Sequence, residues 1–216
     1  MKQFAIIGLG RFGSSLATTL TRMGYEVLAI DSDEVKVEEL ADAVTHSVQA
    51  NALDEVVLKS LGLRNFDVVV VAIGQDVQAN ILVTVMLKEM GVKKVVAKAS
   101  TDLQGTVLKK IGADIVVYPE RDMGERVAWW LVSNNIIDQI YLSSDYSLVE
   151  LQTPPRFVGN TLQDSGIRKK YGSTVLAIRR GNDFVISPEP TEKIQKGDVL
   201  IIIGQNEKLK SLEKEG

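Results

Sequence analysis

The chain contains no cysteine and a single histidine among its 216 residues. Without cysteine it can form no disulfide, no thiolate nucleophile and no cysteine metal site, which is compatible with the cytosol. The one histidine, His46, stands beside the third apolar run, away from the strand ends where catalytic groups collect. We interpret it as an exposed polar side chain. Composition therefore excludes cysteine-based catalytic and metal centres before any motif is considered.

Strong charge and long apolar runs are also lacking. The formal net charge is −3, with acidic and basic residues interspersed, so we expect no nucleic-acid partner. The longest apolar runs, such as 68–73 and 199–203, are far shorter than the ~20 residues that span a bilayer. Because the first apolar run begins almost at the first residue, we also expect no signal peptide. A role at a membrane would need another chain to hold this one there.

A glycine-rich turn follows the first apolar run. Gly8, Gly10 and Gly13 form a G-x-G-x-x-G motif between the run 4–7 and a helical pattern at 14–20. In this context the first glycine permits a tight turn, the second lets the backbone approach a phosphate, and the third lets the helix lie close to the strand. The first N–H groups of the helix would point at the anion. The motif therefore predicts a nucleotide phosphate site.

An acidic residue is expected at the end of the next strand, and Asp31, followed by Ser32, ends the apolar run 27–30. A carboxylate there would accept hydrogen bonds from a ribose diol and repel a 2′-phosphate, which argues against NADP. NAD, ATP, ADP and AMP all carry the free hydroxyls that it needs. The fingerprint locates the site and leaves the ligand open.

Short apolar runs alternate with helical patterns through the first half of the chain. Strands are predicted at 4–7, 27–30, 45–49, 68–73, 94–98 and 115–118, and helices at 14–20, 34–41, 53–61, 77–90 and 101–111. Strands that are apolar on both faces require a parallel sheet covered on both sides. The pattern predicts an α/β fold with a Rossmann-type doubly wound sheet of strand order 3-2-1-4-5-6.

The pattern changes after Asn134, where shorter strands separated by turns follow. We predict strands at 137–142, 147–151, 175–179, 184–186 and 199–203 and a closing helix at 207–214. Turn residues at 180–183 and 196–198 support this reading. We therefore predict a Rossmann nucleotide-binding domain at 1–134 and a small α+β domain at 135–216. A domain this small favours docking or dimerisation, because its core is limited.

Small residues follow two central strands of the predicted sheet. Asn51 and Ala52 lie just past the third strand, and Ala72 and Ile73 lie at the end of the fourth. An adenine ring or ribose would rest at this carboxyl edge. Small residues also serve tight turns, so both readings stay open.

Three charged residues would lie at the same edge. Arg11, inside the glycine loop, would add positive charge for a terminal phosphate or form a surface salt bridge. Lys98, at the end of the fifth strand, could reach a phosphate or be solvated. Glu120, after the sixth strand, is either a helix N-terminal charge or, with a symmetry mate, a divalent-cation ligand.

No set of residues predicts a catalytic apparatus. None of the tyrosines begins a Tyr-x-x-x-Lys spacing, and neither G-x-S-x-G nor the Walker sequence G-x-x-x-x-G-K-[ST] occurs. A nicotinamide dehydrogenase would also need a substrate pocket and a proton donor, which the sequence does not offer. We therefore predict that the protein is not an enzyme.

The whole chain resembles a known family. In the right order it is similar to the cytosolic RCK (TrkA-N plus TrkA-C) regulatory subunits of bacterial Trk and Ktr potassium transporters, and to their KtrA type most of all. The similar stretches are 8–13, 26–31, 50–52, 109–114, 119–124, 146–150, 170–172 and 196–204. This resemblance is far more specific than the glycine fingerprint alone.

The resemblance implies a regulator without catalytic turnover. Members of the family form homodimers that assemble into a homo-octameric ring beneath a KtrB/TrkH-like membrane potassium-transporting subunit. ATP and ADP hold different shapes of this ring, which gates the pore. The resemblance thus implies a cytoplasmic protein that is peripheral on the cytosolic face of the membrane through its partner.

The resemblance also assigns site residues by position. Nucleotide contacts would come from Gly8, Gly10, Arg11, Phe12, Gly13, Asp31, Ser32, Asn51, Ala52, Ala72, Ile73 and Lys98. Arg11 would sense the terminal phosphate across the dimer, and Glu120 would bind Mg or Ca when ATP is present. Some members bind cyclic di-AMP in the second domain, where Arg168, Ile178 and Pro190 lie about where that pocket would be.

Functions from different classes stay open at this point. The favoured one is a nucleotide-sensing gating subunit of a potassium uptake system that binds ATP and ADP. The alternative is an NAD(H)-dependent oxidoreductase or NAD(H) redox sensor, because Asp31 does not distinguish NAD from ATP. A related RCK protein that serves another transporter would keep the site and change the partner. The missing proton donor and substrate domain favour the gating subunit.

Overall fold

A computed structural model of the chain describes residues 2–132 and 135–213. The chain divides into two compact units, Met1–Asp122 and Met123–Gly216. The predicted domain boundary at residue 134 and the predicted end of the last helix at residue 214 lie outside the described residues. Within those residues, no helix combines the length and apolar character needed to cross a membrane.

The first unit is built on one six-stranded sheet. Its strands are β1 (Gln3–Ile7), β2 (Glu26–Asp31), β3 (His46–Gln49), β4 (Val68–Val71), β5 (Val95–Lys98) and β6 (Ile115–Val117). All neighbours pair in parallel in the order β3-β2-β1-β4-β5-β6. This confirms the predicted Rossmann-type sheet, and the switch between β1 and β4 is where such sheets bind ligands. The side chain of His46 is exposed, as predicted.

Helices connect these strands. They are α1 (Arg11–Arg22), α2 (Glu34–Leu40), α3 (Glu55–Ser60), α4 (Val77–Glu89), α5 (Asp102–Lys110) and α6 (Pro119–Val132). The third begins two residues later than predicted, because the carboxylate of Asp54 caps it by accepting from the N–H groups of Val56 and Val57. Pro119 opens the sixth helix at a position where its missing N–H costs nothing.

Alternate residues of the central strands enter two different cores. Ala5 and Ile7 of β1 pack with Leu58 and Leu87 from α3 and α4 on one face. Ile6 points to the opposite face, where the core contains residues of α1 and α2. Two-sided burial explains why these strands are continuous apolar runs. Because the six strands run parallel, their carboxyl ends and the loops that follow them lie at one edge of the sheet.

The second unit is an antiparallel sheet with two helices. Its strands are β7 (Ile136–Tyr141), β8 (Tyr146–Gln152), β9 (Thr174–Arg180), β10 (Asp183–Ile186) and β11 (Val199–Gln205), and its helices are α7 (Ile167–Tyr171) and α8 (Asn206–Glu213). The strand order is β10-β9-β11-β8-β7. This confirms the predicted small α+β domain. The sequence analysis missed α7, which is only five residues long and lies between left-handed Gly166 and Gly172.

A buried ion pair holds the turn before β11. The side chain of Asp198 is 1% exposed and accepts from both Nε and Nη2 of Arg180 on β9, each at 3.0 Å. It also accepts from the N–H of Gln195 at 2.8 Å. Burial raises the pKa of Asp198, but the hydrogen bonds from Arg180 and Gln195 outweigh it and keep the pKa below its usual value. The carboxylate is therefore charged in the folded chain.

We expect Asp198→Asn to lower the free energy of unfolding of the second unit by about 2–3 kcal/mol at pH 7, because Arg180 loses the charged partner buried beside it. A lowered folded pKa stabilises the fold above the unfolded value of about 3.9 and loses that contribution as pH falls further. The deficit should therefore shrink below about pH 4. Urea unfolding followed across pH measures it, with exposed Asp183→Asn as the control. A deficit that does not change with pH would contradict this assignment.

Candidate functional site

A cleft of about 760 Å³ opens at the carboxyl edge of the parallel sheet. This is within the ~300–1,000 Å³ range of small-molecule sites. Its walls include Gly8, Gly10, Arg11, Phe12, Asp31, Ser32, Asn51, Ala52, Ala72, Ile73, Lys98 and Glu120. The structure thus brings together every predicted nucleotide residue except Gly13, along with the predicted metal residue.

The glycines of the motif have different structural roles. Gly8 has a φ of +97°, and a Cβ there would lie 2.9 Å from the backbone nitrogen of Ile73. A Cβ on Gly13 would lie 1.9 Å from the carbonyl oxygen of Gly8, so α1 can approach β1 only without a side chain there. A Cβ on Gly10 would meet no atom within 4 Å. Gly8 and Gly13 therefore serve packing, whereas Gly10 leaves the backbone open to the cleft.

The N-terminus of α1 is suited to an anion. Four other helices of this unit are capped by a side chain, namely by Asp33, Asp54, Asp76 and Thr101. Gly10 caps α1 without a side-chain hydrogen bond, and the first turn contains no acidic residue. The first N–H groups and the positive end of the helix dipole are then left for a ligand. A phosphate fits this arrangement.

The carboxylate of Asp31 is hydrogen-bonded to the backbone of the glycine loop. Its Oδ2 accepts from the N–H of Leu9 at 2.7 Å, and its Oδ1 accepts from the N–H of Asp33 at 3.0 Å. Lys36 places its Nζ 3.7 Å from Oδ1. A carboxylate offers about four lone-pair sites, so acceptor capacity remains for a ribose diol. Asp31 can therefore fix the loop and hold a ribose together.

Lys98 brings a shielded cation into the cleft. Its side chain is 10% exposed, and its Nζ lies 2.5 Å from Oε1 of Glu120, which is 68% exposed. The same Nζ lies 5.9 Å from the centre of the Phe12 ring. The hydrogen bond from Lys98 holds the pKa of Glu120 below its usual value. Of the two open readings for Lys98, the structure supports a cation in the site over a solvated one.

Arg11 is differently placed. It is exposed on the first turn of α1 and lines the cleft. No hydrogen bond or ion pair joins its guanidinium to another described residue of the chain. The salt bridge considered in the sequence analysis is therefore not formed within the described part of the chain. The guanidinium can reach an anion at the mouth of the cleft.

Some residues that line the cleft or support the strand ends beside it were not predicted from the sequence. Asn80 on α4 is fully buried, and its Nδ2 donates to the carbonyl oxygens of Ile73 at 2.7 Å and Lys98 at 3.1 Å. It thereby joins the ends of β4 and β5. Asp76 also lines the cleft. A signal for Asn80 exists, since it is a polar residue near the start of a largely apolar helix.

The predicted metal and second-domain sites stay predictions. No group of three or more acidic or histidine side chains suited to a metal ion occurs among the described residues. Glu120 faces Lys98 instead, and its role with a symmetry mate is not tested. In the second unit Arg168 and Pro190 are exposed, but Ile178 is fully buried in the core.

Comparison with known proteins matches both units. Residues 4–119 match the TrkA-N domain, and residues 147–215 match the TrkA-C domain. Ktr system potassium uptake protein C of Bacillus subtilis (strain 168) is 51% identical over 213 residues, covering 99% of this chain and 96% of that protein. Ktr system potassium uptake protein A of the same organism is 46% identical over 215 residues, covering 100% and 97%.

Solved structures show the same fold. The GsuK RCK domain superposes with a TM-score of 0.70 at 18% identity, covering 99% of this chain and 47% of that one. The GsuK channel bound to NAD superposes with a TM-score of 0.68 at 18% identity, covering 98% and 39%. Identities this low support the fold alone.

The two glycines of the loop give a matched test of the site. We expect Gly13→Ala to destabilise the first unit by about 1–3 kcal/mol, because its Cβ must displace backbone. Gly10→Ala should unfold at the wild-type temperature but bind adenosine nucleotides at least roughly tenfold more weakly, because a methyl group would face the phosphate. Thermal unfolding and calorimetric titration with ADP measure both. Unchanged ADP affinity in Gly10→Ala would contradict this view of the glycine loop.

Proposed function

Since the chain belongs to the family of Ktr system potassium uptake proteins, which join a TrkA-N to a TrkA-C domain, we propose that it is a nucleotide-sensing regulatory subunit of a potassium uptake system. The observation that carries this proposal is the 51% identity that extends over 99% of the chain and 96% of its relative. Both units match in the same order, so the relation covers the whole chain and not only a common nucleotide fold.

We propose that ATP and ADP bind in the cleft of the first unit. The uncapped start of α1 and the open backbone at Gly10 would take the phosphates, and Asp31 would hold the ribose. Asn51, Ala52, Ala72 and Ile73 line the wall where the nucleoside would lie. This arrangement would bind and orient a ligand. We propose no catalytic activity.

The guanidinium of Arg11 supplies the difference between the two nucleotides. A ligand shifts a conformational equilibrium only by its differential affinity for the two states. Arg11 is exposed at the mouth of the cleft, where a terminal phosphate would emerge. A contact made with ATP and not with ADP would favour one arrangement of the subunits.

The output of this sensor would be a membrane partner. We propose that the chain forms homodimers, assembles into an octameric ring, and acts on the cytosolic face of the membrane by binding a KtrB/TrkH-like potassium-transporting subunit. The family relation supports this partner. Mg or Ca at Glu120 and cyclic di-AMP near Arg168, Ile178 and Pro190 are further ligands that we include in the test.

An NAD(H) sensor is the second candidate. Asp31 fits any ribose with a free diol, and the GsuK channel, which shares the fold, has been solved with NAD. The two candidates share the site but differ in the response to a terminal phosphate. The ligand set of the experiment therefore contains both.

We expect ATP and ADP to bind the purified protein and to raise its unfolding free energy, by about 2.7 kcal/mol at a concentration one hundred times the dissociation constant. Arg11→Ala should weaken ATP binding roughly tenfold or more, because a hydrogen bond to a charged group contributes about 1.5–3 kcal/mol. ADP binding should change little. Calorimetry with ATP, ADP, NADH and cyclic di-AMP, with and without Mg, measures these affinities.

Arg22→Ala is the control for this variant. Arg22 ends the same helix, contacts Thr19 and carries the same charge, but it does not line the cleft. It should bind both nucleotides as the wild type does. Binding of NADH with no response to ATP or ADP would overturn the ATP/ADP sensor and favour the second candidate.

The transport role needs a separate test. In a bacterial strain without its own potassium uptake systems, we expect the chain to restore growth at low potassium only when a KtrB-type membrane subunit is co-expressed. Arg11→Ala should reduce this growth, and Arg22→Ala should not. Growth that does not depend on the membrane subunit would contradict the proposed partner.

A further inference from the structure

We infer that Glu120 is a built-in competitor of the nucleotide phosphates for Lys98. Without a divalent cation, a phosphate would have to share the ammonium charge with the carboxylate or replace the carboxylate, because both anions would lie at the same nitrogen. Glu120 would therefore weaken nucleotide binding under these conditions. A ligand would need enough phosphate charge to compete with this carboxylate for Lys98. This inference rests on the proposed function, because it concerns the same cleft and the same ligands.

The surroundings of the ammonium group carry the argument. Nζ of Lys98 lies at the end of β5, and a Cβ on Gly74 at the end of β4 would lie only 3.1 Å from it. The ring of Phe12, on the first turn of α1, is a further neighbour of this ammonium group. A cation that is nine-tenths buried requires an anion, and among the described residues only Glu120 forms an ion pair with it. The same place faces the helix start where phosphate would bind.

The two partners differ in how firmly they are held. Asn80 fixes the backbone of Lys98 by donating to its carbonyl oxygen, so the strand end stays in place when the ammonium changes partner. Glu120 is two-thirds exposed and can turn into solvent at little cost. A phosphate, with more charge and several acceptor oxygens, can replace one exposed carboxylate.

The first turn of α6 has a second attachment that does not depend on Lys98. Arg121 donates to Oδ1 of Asp102 on α5 at 2.7 Å and stacks 3.8 Å above the ring of Tyr118. Losing the contact between Glu120 and Lys98 therefore leaves the helix start attached. A Glu120→Gln variant should fold, and ligand binding would change only one of several contacts of α6.

The test is calorimetric titration of the full chain with ADP and ATP in the presence of EDTA. We expect Glu120→Gln to bind both nucleotides roughly threefold to tenfold more tightly than wild type, since a partly shielded ion pair no longer has to be broken. Affinity for adenosine, which has no phosphate, should not change. In the double variant Lys98→Gln/Glu120→Gln, the gain relative to Lys98→Gln should disappear.

Asp102→Asn is the matched control, because it weakens a different contact of the first turn of α6, outside the cleft. Its nucleotide affinities should equal those of the wild type. Unchanged or weaker ADP and ATP binding by Glu120→Gln would overturn the competitor role while leaving the proposed function intact. Failure of the wild type to bind either nucleotide would overturn the proposed function, and this inference with it.

Discussion

The close approach of α1 to β1 is the constraint on which the rest of the site depends. With no side chain at Gly13, the helix lies against the carbonyl of Gly8, and its first N–H groups point over the carboxyl ends of the strands. Asp31 fixes the intervening loop through the N–H of Leu9. Since no side chain caps this helix, its donors remain available to a ligand. The packing at Gly13 therefore positions the helix start that we propose binds an anion.

Much of the fold follows from local chemistry that the sequence displays directly. The strands of the first unit are apolar on both faces, which allows only a covered parallel sheet, and the strand order then follows from the usual connections. Gly8, Gly10 and Asp31 could be placed for the same reason, because their roles depend on the strand ends where they stand. The small antiparallel unit was likewise visible in its short strands and turns.

Other features could not be predicted, because they depend on residues that are distant in the sequence. The ion pair of Lys98 with Glu120 joins positions 22 residues apart, and that of Arg180 with Asp198 joins positions 18 apart. Nothing in their local sequence specifies the partner. Asn80 is a similar case, because it donates to two carbonyl groups from separate parts of the sequence, that of Ile73 after β4 and that of Lys98 on β5. Side-chain pairing across the fold needs the structure.

A site in which an internal carboxylate binds the cation is better suited to sensing a ligand than to binding it with the highest affinity. A ligand that displaces an internal partner must break a contact of the protein, and the free energy of that contact lowers the affinity. Binding is then coupled to the loss of the contact. In this chain the partner that we propose is displaced, Glu120, stands on the first turn of α6. The contact proposed to limit phosphate binding is therefore also a contact of this helix start. A nucleoside has no phosphate and would leave that contact unchanged, so under this proposal only the phosphate end of the ligand could carry the signal.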